Sequence, residues 1–285
     1  MKKLSLITAL LSSFVGFNAN AYQAESTIAY EHIDMDDGKG NGVVITGKYY
    51  FSPIQTRNAP LAEAAFLNKA SNIGGGFAYN KLEDDEDLLE LQFNSLGVTG
   101  EVFIPDTQFY VSGALYRTNT KITVPLLGSD SKAHNGYALE AGFLPINGLL
   151  FAAGIADLSK TLNPVQLSQY GFVSNFMNST TVSGEDDDKA VTLRAKYVTQ
   201  LGAYYTNFEA QSYFGDETTY RLAADLYLDP TLSVGVSIAD STADESDSIF
   251  SIRAQKFFTP QVAVGVGYTT IDGADSFGIN GTFRF

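Results

Sequence analysis

The sequence predicts an all-β protein, specifically a transmembrane, antiparallel up-and-down β-barrel of about 14 strands, within a range of about 12–16. Three observations support this fold class. Strand-like segments with period-two alternation recur along the chain, the last of them reaches the final residue, and the connections alternate in length and charge. Tyrosine (16), phenylalanine (20) and glycine (26) are abundant, as is common in β proteins. Cysteine is absent, which excludes disulfides and thiolate metal sites.

Residues 1–21 have the pattern of a secretory signal peptide. Lys2 and Lys3 form a positive n-region, Leu4–Phe17 is apolar, and Ala19-Asn20-Ala21 supplies a small-x-small cleavage site. The apolar stretch is shorter than the roughly 20 residues that a membrane-spanning helix needs. We therefore predict export and cleavage after Ala21, which leaves residues 22–285 as the barrel.

The predicted strands each have one apolar and one polar face, because apolar residues recur at every second position. Leu232, Val234, Val236 and Ile238, for example, alternate with serine and glycine. Most segments approach the roughly 9–11 residues with which a tilted strand crosses a membrane. The segments are Ala24–Met35, Gly42–Phe51, Asn72–Lys81, Leu88–Ile104, Gln108–Thr118, Gly136–Leu144, Leu149–Leu158, Ala190–Thr199, Tyr204–Phe214, Thr219–Leu228, Leu232–Ala239, Ser248–Phe258, Val262–Ile271 and Ser276–Phe285.

The connections distinguish a barrel from a soluble β-sandwich, which would show the same alternation. Short turns, most of them with a proline, follow every second strand, as at residues 105–107 and 229–231. The intervening connections are acidic and mostly longer, as at residues 83–87 and 241–247. Outer-membrane barrels have short periplasmic turns and longer extracellular loops, whereas a sandwich with Greek-key links has no reason to sort its loops in this way. An even strand number also returns both termini to the periplasmic end.

Two connections and one strand depart from this pattern. Pro60–Ser71, within the connection at residues 53–71, is rich in alanine and leucine and predicts a short helix in a periplasmic connection, which we expect to cover the barrel rim and not to plug it. Residues 159–188 form a long outer loop that either constricts the lumen or projects outward. In Leu88–Ile104 the apolar residues change phase after Phe93, and we predict a β-bulge at Ser95 that restores the faces.

The sequence contains no motif for catalysis, so we predict a protein that is not an enzyme and has no cofactor. His32 and His134 lie near no recognisable nucleophile motif, and the glycine-rich Asn72–Gly76 is not followed by a helix. The acidic runs at residues 83–87 and 184–188 lack the spacing of a calcium loop, so no dedicated metal site is expected. Divalent bridging to lipopolysaccharide at the outer rim is a secondary interpretation. The net charge of −14 argues against nucleic acid as a partner.

The final strand, SFGINGTFRF, resembles the sorting signal that the barrel-insertion machinery reads in outer-membrane barrels. Its apolar face contains Phe277, Ile279, Phe283 and Phe285, and we predict that these residues form an assembly signal. The last strand must also pair with the first to close the barrel and remove its edges.

KYYFSPI at residues 48–54, followed by APLAEAAFLNKAS at residues 59–71, resembles a motif of a family of general porins from Gram-negative bacteria. Together with the terminal TFRF and the signal peptide, the resemblance covers the whole mature chain. It implies a channel in the outer membrane. The expected partners are outer-membrane lipid and lipopolysaccharide, the insertion machinery and periplasmic chaperones during assembly, and small hydrophilic solutes.

We predict a passive diffusion channel for small hydrophilic solutes and ions; the alternative is a structural or adhesive barrel without an open pore. The charged residues that the face assignment directs inward are Lys48, Glu90, Glu101, Glu140, Arg194, Lys196, Glu209, Arg221, Asp225, Arg253 and Arg284. Most inward basic residues belong to the C-terminal half and most inward acids to the N-terminal half. The pattern therefore predicts a basic wall that faces an acidic one, and a weak cation preference contributed by the acidic outer loops.

Overall fold

The computed structural model describes residues 21–56, 58–86, 88–125, 127–157, 161–170, 189–243 and 246–285. Within these residues 14 strands form one closed antiparallel barrel, in which each strand pairs with its neighbours in sequence and the last strand pairs with the first. The predicted fold class and strand number are confirmed. The predicted signal peptide lies almost wholly outside the described residues, as do residues 171–188 of the long outer loop.

The strands are β1 (Ala21–Met35), β2 (Gly38–Gln55), β3 (Asn72–Asp84), β4 (Glu90–Phe103), β5 (Phe109–Val124), β6 (Gly128–Ile146), β7 (Leu149–Asp157), β8 (Lys189–Leu201), β9 (Tyr204–Phe214), β10 (Thr218–Asp229), β11 (Leu232–Ser241), β12 (Ile249–Thr259), β13 (Val262–Ile271) and β14 (Ala274–Arg284). A 3₁₀ turn (Leu61–Glu63) leads into helix α1 (Ala64–Leu67), and helix α2 spans Pro164–Tyr170. No helix in the described ranges combines the length and the apolar character needed to cross a membrane.

The outer surface of the barrel is a belt of large apolar side chains. Ile28, Ile45, Phe77 and Leu96 are paired in register across four strands, and each of them is exposed. Such a belt matches the hydrocarbon layer of a membrane, where apolar side chains of a barrel face lipid and the alternate positions face the lumen.

Main-chain pairing closes the barrel as far as the final residue. The amide N of Phe285 donates to the carbonyl oxygen of Ala24 at 3.0 Å, and the carbonyl oxygen of Phe285 accepts from the amides of Gln23 and Ala24 at 2.8 Å. The side chains predicted to form the assembly signal are all exposed on the outer face; they are Phe277, Ile279, Phe283 and Phe285.

Strand β4 contains no bulge, so the prediction of a bulge at Ser95 is wrong. The strand pairs with β3 and with β5 without a register shift. Phe93 points inward and is 8% exposed, whereas Leu96 points outward and is 60% exposed. The apolar residues change phase because the extracellular half of β4 presents Phe93 and Leu91 to an apolar cluster inside the barrel.

Candidate functional site

The barrel encloses a cavity of about 540 Å³ that two inward-folded segments border. The inward faces of the strands form its wall. On the periplasmic side it is lined by Ala62, Glu63 and Phe66, and on the extracellular side by Asn163 and residues 165–169. We call residues 60–71 the periplasmic plug and residues 161–170 the lumenal segment.

The periplasmic plug reaches across the opening and contacts opposite parts of the wall. The amide of Leu61 donates to the carbonyl oxygen of Pro230 at 2.8 Å, and its side chain packs against Phe257 and Ala263. Ala64 packs in a second cluster, against tyrosines of β1 and β2. Phe66 packs in a third, with side chains of β5, β6 and β7. A short helix is present as predicted, but it does more than cover the rim as expected, because Ala64 is buried and Ala65 and Phe66 line the cavity.

Glu63 connects the plug to two strands of the wall. The Tyr227 hydroxyl donates to Oε1 of Glu63 at 2.7 Å, and Nζ of Lys196 lies 3.0 Å from Oε2. Lys196 also lies 5.2 Å from the centre of the Phe66 ring. A second polar contact holds the start of the plug, where Nη1 of Arg284 donates to the carbonyl oxygen of Leu61 at 2.9 Å.

The lumenal segment packs against the wall formed by β1–β4. Leu162 and Leu167 are buried in a cluster with Ile33, Val44, Ala78 and Phe93. On the other side, Nδ2 of Asn163 donates to the Tyr116 hydroxyl at 3.0 Å, and Nε2 of Gln166 donates to the Tyr213 hydroxyl at 3.3 Å. The sequence left open whether residues 159–188 constrict the lumen, and their described part does so.

The N-terminal end of α2 fits closely against two glycines. Asn163 caps the helix, since its Oδ1 accepts from the amide of Val165 at 3.0 Å, and Pro164 occupies the first helical position. Gly76 and Gly97 are paired across β3 and β4. A Cβ atom added at either glycine would lie 3.1 Å from the ring of Pro164. The absence of side chains at these two positions therefore allows the segment to reach the wall.

Ten of the predicted inward-facing charged residues line the cavity. They are Lys48, Glu101, Glu140, Arg194, Lys196, Glu209, Arg221, Asp225, Arg253 and Arg284. The cavity is also lined by Glu25, Glu31 and Glu63, which the sequence analysis did not assign to it. The period-two pattern of β1, extended over the whole strand, would have predicted that Glu25 and Glu31 face inward. Glu63 lies in the plug, where no such pattern indicates which way a side chain points.

Most of the lining acids lie on β1–β7 and most of the lining bases on β8–β14, as the sequence predicts, and charges of opposite sign form local pairs. Nη2 of Arg194 lies 2.7 Å from Oε1 of Glu140, and Nε of Arg284 lies 2.6 Å from Oε2 of Glu25. Nη2 of Arg253 lies 2.8 Å from Oδ1 of Asp225.

The Asp225–Arg253 pair bridges β10 and β12 across the intervening strand. Gly235 of β11 is in register with both residues. A Cβ atom at Gly235 would lie 2.1 Å from Oδ1 of Asp225 and 3.0 Å from Nε of Arg253. Glycine at this position thus leaves the space in which the two side chains meet.

Glu90 lies outside the cavity, so its predicted inward position is wrong. It has the same orientation as the exposed Leu96 on β4, and its carboxylate lies 2.7 Å from Nζ of Lys81 on the neighbouring strand. The prediction depended on the bulge at Ser95, and without a bulge the residues before it keep the opposite orientation.

Comparison with known proteins gives one family and several solved structures. The family described as “Putative general bacterial porin” matches residues 1–285. The structure of the Acinetobacter baumannii outer membrane protein Omp33 is similar over 93% of this chain and 99% of that chain, with 29% identity and a TM-score of 0.67. No curated protein sequence matches.

Two more distant structures share the fold alone. The CymD monoaromatic hydrocarbon channel has 8% identity and a TM-score of 0.56, over 93% of this chain and 89% of that chain. A Pseudomonas aeruginosa FadL homologue has 10% identity and a TM-score of 0.52, over 93% of this chain and 91% of that chain.

Proposed function

Since this chain belongs to the general bacterial porin family and forms a diffusion channel in the outer membrane of a Gram-negative bacterium, we propose that the cavity between the plug and the lumenal segment selects the solutes that pass. The observation that carries the proposal is the charged lining of this confined space. Seven acidic and six basic residues of the described chain line it. Solutes that can exchange hydrogen bonds with these groups are favoured over apolar solutes, which would leave buried charges without water.

The near balance of the lining charges supports a weak choice between cations and anions. Fixed charges of one sign dominate the selectivity of pores that choose strongly, whereas here the acids and bases of the lining are nearly equal in number. The whole chain carries a net charge of −14, which concentrates cations at the mouth within a Debye length of about 8 Å at physiological salt. We therefore expect a weak cation preference.

Conductance in planar bilayers tests the proposal, with liposome swelling as the measure of solute passage. The wild-type protein should conduct in small steps and should admit small polyols and amino acids faster than larger sugars. A variant in which residues 61–69 are replaced by a glycine–serine linker should conduct more. Absence of conductance in both proteins would support the alternative of a structural or adhesive barrel without an open pore.

We also propose that residues 1–21 are a signal peptide and that residues 22–285 form the mature barrel. The support is the n-region, apolar stretch and small-x-small site in the sequence. The mass of the protein isolated from outer membranes should correspond to a chain that starts at Tyr22. A mass that includes residues 1–21 would contradict cleavage.

The C-terminal strand supports further proposals about partners. Its outward Phe283 and Phe285 are available to the insertion machinery and to periplasmic chaperones before the barrel closes, and lipopolysaccharide is the expected lipid at the outer rim. Crosslinking from Phe285 during assembly would test the first of these contacts.

A further inference from the structure

The carboxylate of Glu63 occupies a binding site whose donors belong to the barrel wall. Lys196 lies on β8 and Tyr227 on β10, while Glu63 belongs to the plug. Nζ of Lys196 is 3.0 Å from Oε2, and the Tyr227 hydroxyl donates to Oε1 at 2.7 Å, so each carboxylate oxygen has its own donor. Glu63 is 7% exposed, and all three side chains line the cavity.

These contacts favour replacement of the Glu63 carboxylate by the carboxylate of a solute over departure of Glu63 with nothing in its place. Removing the carboxylate would deprive the Tyr227 hydroxyl of its acceptor and Lys196 of its nearer acid, which is costly. A carboxylate that arrives from the cavity restores both contacts, so only the identity of the acceptor changes. A neutral solute of the same size offers no charged acceptor and cannot complete the exchange.

The surroundings of the site suit a solute that also carries a positive charge. Oε2 of Glu209 lies 3.8 Å from Nζ of Lys196, and Asp225 lines the same cavity. An ammonium group on the solute would therefore have acidic neighbours on the wall, which it would share with Arg194 and Arg253. Because the chain as a whole is strongly acidic, a zwitterion also approaches the mouth with less repulsion than an anion.

We propose that the site formed by Lys196 and Tyr227 binds the carboxylate of small solutes, zwitterions above all, and that Glu63 is a tethered competitor for it. Binding of the solute displaces Glu63 and releases the plug from β8 and β10. This inference rests on the proposed function of the cavity and names its substrate class: small hydrophilic molecules with one carboxylate.

A single cysteine in the plug measures its release. The native sequence has no cysteine, so Ala64→Cys, at a position that is 5% exposed, gives one buried reporter in the plug. Ala239→Cys is the matched control, since Ala239 is 8% exposed but belongs to the wall on β11, in none of the clusters that hold the plug. The probes are L-alanine, L-lactate and lactamide, which are similar in size and differ in charge, and the readout is the rate of maleimide labelling of the purified full-length barrel.

L-alanine and L-lactate should raise the labelling rate of Ala64→Cys roughly tenfold at saturation, which corresponds to about 1.4 kcal/mol. L-alanine should reach saturation at the lower concentration, and equal concentrations would contradict the preference for zwitterions. Lactamide should have no effect, and no probe should change the labelling rate of Ala239→Cys. When Glu63→Gln is combined with Ala64→Cys, the cysteine should be labelled fast without any probe, and the probes should no longer change its labelling rate. Tyr227→Phe should weaken the effect of L-alanine on the labelling rate of Ala64→Cys.

Equal effects of all three probes, or a full response in Glu63→Gln, would overturn the carboxylate site. Conductance of the same preparations separates this outcome from failure of the proposed function. A barrel that conducts but whose plug does not respond to carboxylates refutes the inference alone. If neither the wild type nor Glu63→Gln conducts, the channel function itself is refuted.

Discussion

Truncation of Leu167 to alanine should undock the lumenal segment from the barrel wall. Leu167 is 2% exposed and packs with Leu162 against side chains of β1–β4. Helix α2 has seven residues, too few for a helix that is stable by itself, so its position depends on these contacts. The two leucines are the apolar side chains that fix it in the cluster, and Leu167→Ala removes one of them.

The size of the effect follows from the burial of Leu167. Replacing a fully buried leucine by alanine costs about 2–5 kcal/mol. The cost falls on the docking of the segment and not on the barrel, because the segment can leave the cluster while the strands stay paired. Taking about 3 kcal/mol, and a tenfold change for about 1.4 kcal/mol, the docked state loses roughly a hundredfold in its equilibrium constant.

The assay uses Ala78→Cys, at a fully buried position on β3 beneath the lumenal segment. Maleimide reaches this cysteine when the segment undocks, so its labelling rate should rise roughly a hundredfold in Leu167→Ala. Leu222→Ala is the matched control, because Leu222 is 51% exposed on the lipid-facing surface. Unchanged labelling in Leu167→Ala, with a sheet-dominated circular dichroism spectrum, would refute the conclusion that this cluster holds the segment in the lumen.

Three further outcomes test assembly, close packing and selectivity. Phe285→Asp should reduce insertion into the outer membrane, measured by immunoblot of membrane fractions, and normal levels would contradict an assembly role. Gly97→Val should raise labelling of Ala78→Cys, because a Cβ atom at Gly97 would lie 3.1 Å from Pro164; labelling at the wild-type rate would show that the segment tolerates the side chain. Reversal potentials in a KCl gradient should show a weak cation preference at low salt that disappears at high salt, and Arg253→Glu should increase it. Strong anion selectivity at low salt would disprove the assignment of the charges.

The strands could be predicted because their pattern is local and the lipid imposes it. Every second residue of a membrane-crossing strand must be apolar. Segments such as β11 and β13 can therefore be recognised from their own residues, without knowledge of the rest of the chain. The alternation of short and long connections then predicts which of them face the periplasm. Alternation led to a wrong prediction in β4, because we expected the lumen to be polar along the whole strand. Leu91 and Phe93 face inward because the lumenal segment makes that part of the lumen apolar.

The inward charges were also largely predictable, but their partners were not. Alternation alone directs Arg194 and Arg253 inward. Their pairing with Glu140 and Asp225 depends on side chains that reach across an intervening strand. The Asp225–Arg253 pair can be inferred only when the strand register is known, because the register places Gly235 between these two residues. Glu63 could not be assigned, since a residue in a connection has no face until the path of the connection is known.

The two segments that border the cavity are held by different kinds of contact, which gives them different roles in passage. The lumenal segment is fixed mainly by apolar packing around Leu162 and Leu167, and no solute group can replace that packing. It therefore limits passage by the space that it leaves. The periplasmic plug is held in part by the Glu63 carboxylate, whose contacts with Lys196 and Tyr227 a second carboxylate can reproduce. A solute from outside first passes the lumenal segment, which limits its size, and then reaches the charged cavity, which selects by charge. The solutes that reach the site formed by Lys196 and Tyr227 are therefore already small enough to fit it.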